Sequence, residues 1–109
     1  MRPNFFKETI EVLEKNGKTK SDVLWVGDSD FCFNWDRFEG LAKDLRYDNS
    51  FGSQYIDDLF IVGKDWWLER HEYDGSEWWE YKKIPIKPKK NNNIKLVKGQ
   101  WAIYFKEVK

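Results

Sequence analysis

The sequence predicts an α+β domain, a mainly antiparallel sheet with a Trp-rich hairpin, packed against two helices. Three observations carry this expectation. Residues 4–16 and 35–45 repeat apolar side chains at helical spacing. Val23-Leu24-Trp25-Val26, Phe31-Cys32-Phe33 and Leu59-Phe60-Ile61-Val62 are short β-branched or aromatic runs bounded by Gly and Asp. Asp74-Gly75 lies between two stretches of alternating aromatic and charged residues holding four of the seven tryptophans, and Asp-Gly is a strong hairpin signal because both residues tolerate positive φ.

The elements follow in order. Asn4 is the expected N-cap of the first helix, whose apolar side is built from Phe5, Phe6, Thr9, Ile10, Val12 and Leu13, and Gly17 supplies its left-handed stop. Two short strands, 23–26 and 31–33, flank the polar turn Asp28-Ser29-Asp30. Asn34 caps a second helix in which Trp35, Phe38, Leu41, Ala42 and Leu45 share a face. Residues 47–58 read as a loop with a turn of helix around 54–57, carrying the aromatics Tyr47, Phe51 and Tyr55. Leu59–Val62 and the hairpin then make a three-strand meander.

Charge argues for the hairpin register. A two-residue turn at Asp74-Gly75 sets Glu69 opposite Glu80 and Glu72 opposite Glu77, whereas a three-residue turn with a bulge at Gly75 pairs His71 with Glu77, Arg70 with Trp78 and Trp67 with Tyr81. The sequence therefore favours the bulge. Pro85 and Pro88 break the ladder, residues 86–95 form an exposed basic loop, and 96–107 returns as one or two closing strands. The expected organisation is one domain over 1–109 with its core in 4–85.

Composition limits the function classes. Nineteen basic and nineteen acidic residues cancel, so no global field draws the chain to nucleic acid. The lone Cys32 forms no internal disulfide and is expected to be buried and inert, which fits a reducing, cytoplasmic setting. No apolar run approaches membrane-spanning length and Met1-Arg2-Pro3-Asn4 does not begin a signal peptide, so no membrane partner is expected.

Catalytic motifs fail on their partners. Gly27-Asp28-Ser29 after a strand echoes a hydrolase nucleophile, but the sole histidine, His71, sits within the hairpin without a triad acid. Asp28-Ser29-Asp30 echoes a phosphotransferase Asp-x-Asp in a chain too short for that fold, and Gly17-Lys18-Thr19 follows a helix where a phosphate loop needs a strand. Acidic residues Asp44, Asp48, Asp57 and Asp58 lack the alternation of a calcium loop. Glu80-Tyr81-Lys82, with Asp58 or Asp65 upstream, is the pattern of a small metal-dependent nuclease, and is one alternative reading. No catalytic residue, cofactor or metal is expected, and the chain is not read as an enzyme.

The run from Asp57 to Lys82, with the first helix, Asn16-Gly17-Lys18-Thr19 and Val23-Leu24-Trp25-Val26-Gly27, resembles small accessory proteins, themselves uncharacterised, of phages and prophages of Gram-positive bacteria. The resemblance covers about residues 5–85 and brings no catalytic residues. It implies a viral accessory protein in the host cytoplasm that binds a host or phage protein, in some cases inhibiting a defence machine. The expected contact residues are Trp67, Arg70, Trp78 and Trp79 on the hairpin and Tyr55 on the preceding loop, with Trp66 in the core, because Trp, Tyr and Arg dominate interface energetics. The alternative partner is a single-stranded nucleic acid or a carbohydrate stacked on the same rings, with Lys87, Lys89 and Lys90 meeting any phosphates.

Overall fold

The computed structural model describes residues 3–47 and 54–108. Helix α1 spans Phe5–Lys15 and α2 spans Trp35–Ala42, and each starts where its asparagine cap places it. Asn4 Oδ1 accepts from the Lys7 N–H and Asn34 Oδ1 from the Arg37 N–H, both at 2.8 Å. Such caps typically contribute about 1 kcal/mol each. Gly17, at φ 71°, ends α1 in a Schellman turn, with Lys18 N–H donating to the Leu13 carbonyl and Gly17 N–H to that of Glu14.

Five strands form the main sheet: β1 (Trp25–Gly27), β2 (Cys32–Phe33), β3 (Phe60–Val62), β4 (Trp66–Tyr73) and β5 (Ser76–Lys83). Their spatial order is β2-β1-β3-β4-β5, antiparallel throughout, with the meander β3-β4-β5 on one side. Between Gln54 and Leu59 the chain shows a bend at Ile56 and no helical turn, and Phe51 lies outside the described residues.

Both helices lie on one face of the sheet. Alternation decides which side chains meet them: Val26, Ile61, Trp66, Leu68 and Trp79 point inward against Phe5, Leu13, Trp35, Phe38 and Ala42. Tyr47, expected on a loop, is fully buried here, its ring edge-on to Phe5 at 5.7 Å. Cys32 is exposed rather than buried. Phe33 takes the inward position opposite Val26, so its neighbour faces out opposite Gly27.

The hairpin register corrects the bulge expectation. Tyr73 pairs with Ser76 around a two-residue turn, and Asp74 and Gly75 have φ of 51° and 87°, the positive pair a type I′ turn requires. The like-charge pairs do form, and each is relieved by a neighbour. Glu77 turns inward to Arg70 at 2.8 Å, while Glu72 stays in solvent. Between Glu69 and Glu80 stands His71, with Nε2 2.7 Å from the first carboxylate and Nδ1 3.3 Å from the second.

The C-terminal strands do not close the sheet. Among the described residues, β6 (Ile94–Lys98) and β7 (Ile103–Glu107) pair with each other and with no other strand, beyond the proline-containing stretch 84–93. The chain is accordingly elongated, 56 × 32 × 28 Å with a radius of gyration of 18.8 Å, where a compact chain of this size has about 13 Å.

Candidate functional site

The parity of β4 and β5 sorts the candidate contact residues into two groups. Trp66, Leu68 and Arg70 alternate with Trp67, Glu69 and His71, and the register places Trp79 beside Arg70 and Trp78 beside His71. Arg70 and Trp79, expected as contact residues, are therefore core residues at 6% and 5% exposure. Trp67 is half-buried and Trp78 exposed on the opposite face, and Tyr55 is exposed on the segment before β3.

The Arg70 guanidinium sits in an aromatic cage. Its central carbon lies 4.9 Å from the Trp79 ring, 5.1 Å from Phe5 and 5.6 Å from Tyr47. Nη2 donates to Glu77 Oε1 at 2.8 Å and to the Tyr47 hydroxyl at 3.3 Å, and Nη1 stands 3.6 Å from Glu8. Nε and Nη1 have no hydrogen-bond partner among the described residues, so the rings supply much of the compensation for their burial. Glu77 in turn accepts the backbone N–H groups of Tyr55 and Ile56, fastening that segment to the hairpin. Burial, reinforced by the hydrogen bond to Glu8, pushes the Tyr47 phenol up to about 12. This is a buried structural cluster.

Among the described residues, no helix lies on the other face of the sheet. Trp25, Phe60, Val62 and Trp67, contributed by β1, β3 and β4, are all half-buried and line a shallow depression of about 260 Å³. They adjoin because Trp25 pairs with Val62 and Val62 with Trp67, while Phe60 lies two residues along. Beside them runs a polar strip. The Trp67 indole N–H donates to Glu69 at 2.6 Å and, with His71, holds that carboxyl below its usual range. Lys82, 3.3 Å from Glu80, likewise lowers Glu80. Farther along, the Trp78 and His71 rings stack with centroids 6.3 Å apart.

Trp25, Phe60 and Val62 were not among the expected contact residues. The signal was parity: once Ile61 and Val26 are taken as core, their neighbours face the other way. In the nuclease pattern Glu80 is paired with Lys82 and with His71, and no group of three or more potential metal ligands occurs among the described residues. Nor is any helix among them long and apolar enough to cross a membrane. No family model, curated protein or solved structure matches the chain.

Proposed function

We propose that this chain is a non-catalytic binding protein that engages a protein partner through the helix-free face of its sheet, with Trp67 beside Trp25 and Trp78 farther along the hairpin as anchors. The observation that carries the reading is the asymmetry of the sheet: one face is covered by both helices, while the other presents Trp25, Phe60, Val62 and Trp67 to solvent next to a polar strip. An apolar centre with a polar rim is the composition of a protein interface, and rigid tryptophans are its usual anchors. Glu69 and Glu80 outnumber Lys82 in the strip beside the patch, and this excess of negative charge favours a protein over a nucleic acid on this face. The resemblance to phage accessory proteins supports a host-cytoplasmic setting and a host or defence machine as the partner.

Capture from nuclease-treated host lysate, followed by mass spectrometry, tests the reading with Trp67→Ala and Trp78→Ala beside the parent. A specific protein retained by the parent and lost by both variants, at unchanged melting temperature, is the expected result. Retention of the same protein by both variants, or no specific protein at all, rejects this face as the contact.

A further inference from the structure

The charge of this neutral chain is segregated along its length. Residues 1–81 hold ten basic and eighteen acidic side chains, a net of −8, while residues 82–109 hold nine lysines against the single Glu107, a net of +8. The basic part contains the β6–β7 hairpin, whose alternation makes it two-sided. Ile94, Leu96, Ile103 and Phe105 share one face, with Lys98 at its turn end and Glu107 at the other, and Lys95, Val97, Tyr104 and Lys106 share the opposite face. The apolar face is uncovered: Phe105 is 78% exposed and Trp101, at the turn, 89%. A lone two-stranded hairpin is marginal in water and needs a surface to cover it.

A surface of matching character exists on the acidic part. Phe31, Leu41 and Leu45 lie along a groove of about 260 Å³ whose rim carries Asp28, Asp57 and Asp58. The three leucine and phenylalanine side chains are exposed. Asp28 receives backbone N–H groups of its own turn and Asp58 the Gln54 amide, but none of the three acids makes an ion pair among the described residues. The groove thus offers an apolar floor and uncompensated negative charge to a segment with an apolar hairpin face, Lys98 at the turn end of that face, and a lysine excess over residues 82–109 as a whole.

We infer that the β6–β7 hairpin of one copy docks into this groove of a second copy, the two copies exchanging hairpins about a two-fold axis. Exchange between copies is favoured over folding back because Pro85 and Pro88 stiffen the connecting stretch, and the hairpin projects away from its own body. Nucleic acid or an anionic membrane would satisfy the lysines. Lysines beside an apolar face would also suit an anionic membrane, but neither a membrane nor a nucleic acid fills the acidic groove, whereas a second copy answers both hairpin and groove. This surface is separate from the helix-free sheet face.

Light scattering coupled to size exclusion, on the full chain at low and high salt, reads the association directly. Two charge-reversed variants make the test specific: Asp57→Lys with Asp58→Lys in the groove, and Lys98→Glu on the apolar face of the hairpin. The parent is expected to dimerise, more weakly at high salt, and each variant alone to lose dimer affinity by about tenfold or more. Mixing the two variants should restore a dimer, since each groove then meets a hairpin of opposite charge. Unchanged melting temperatures show that both variants fold. A parent that stays monomeric overturns the inference, and binding of that monomer to oligonucleotide or to anionic vesicles would identify the phosphate-bearing occupant instead. Variants that dimerise as well as the parent, or a mixture that does not restore the dimer, overturn it too.

Discussion

The indole N–H of Trp79 on β5 donates to the hydroxyl of Thr9 on α1 at 2.8 Å, across seventy residues of sequence. Thr9 passes the bond on, its own hydroxyl donating to the Phe5 carbonyl at 2.8 Å. One small buried polar side chain therefore satisfies a tryptophan that would otherwise be costly to bury. Thr9→Val keeps the shape and removes the acceptor, leaving the indole N–H unpaired. The expected loss is about 1–3 kcal/mol, read by urea denaturation, and a loss near zero would show that the bond contributes little.

Arg70 and Glu77 form a fully buried pair, so removing one leaves the other as an uncompensated charge. Arg70→Leu is expected to cost about 3–5 kcal/mol, since Glu77 would remain among the Tyr55 and Ile56 N–H groups without a cation. Combining it with Glu77→Gln should cost less than the sum of the single changes. Denaturant curves for all four proteins provide the cycle. An Arg70→Leu protein of nearly parental stability would contradict the buried role and return Arg70 to the candidate contact residues.

Glu69 and Tyr47 make stability depend on pH at opposite ends. Glu69 is held below its ordinary value of 4.5 first by the Trp67 N–H and then by His71. A depressed carboxyl contributes stability that is present above the unfolded value and lost as pH falls through the folded one. Tyr47 is raised from 10 to about 12, so its neutral form is the one the fold prefers. Its contribution is complete below pH 10 and disappears as pH climbs toward about 12. Carboxyl NMR titration should find Glu69 moved upward in Trp67→Phe. Tyrosinate absorbance should show one late-ionising phenol, moved downward in Glu8→Gln. An unmoved Glu69 would dismiss the indole bond as its cause.

Glycine substitutions should act with opposite signs at two sites. A Cβ at Gly63 would fall 2.1 Å from the Trp66 indole nitrogen, so Gly63→Ala must displace a core ring and is expected to cost about 1–3 kcal/mol. Gly40 lies exposed inside α2 with open space around it, and Gly40→Ala should stabilise by about 0.5–1 kcal/mol through helix propensity. Thermal melts of the pair check both. A destabilised Gly40→Ala would mean that the helix surface there is occupied.

The features legible in the sequence are those decided by near neighbours. Asn4, Asn34 and Gly17 mark helix ends through bonds within a turn, and Asp74-Gly75 marks the hairpin through its own φ angles. The register was not legible, because the like-charge cost of Glu72 facing Glu77 is removed by Arg70 and by backbone groups more than twenty residues upstream. Pairing penalties counted within a hairpin miss such partners. For the same reason Arg70 reads as an interface residue until its parity with Leu68 is followed inward. The candidate face was legible only in part: Trp67 and Trp78 are aromatic enough to draw notice, while Trp25, Phe60 and Val62 join them through the non-local order β1-β3-β4.

The cage around Arg70 also governs how the molecule can come apart. Phe5 and Glu8 reach it from α1, Tyr47 from beyond α2, and Glu77 and Trp79 from β5. Lifting any one of these away strips the guanidinium of a ring, a counter-charge or both, so partial opening gains little over complete opening. Backbone amides of α1, β4 and β5 should therefore exchange with solvent deuterium through one shared event, as a single cooperative unit. The β6–β7 hairpin has no share in that cage, and in an isolated copy it is free to melt and reform while the rest stays closed.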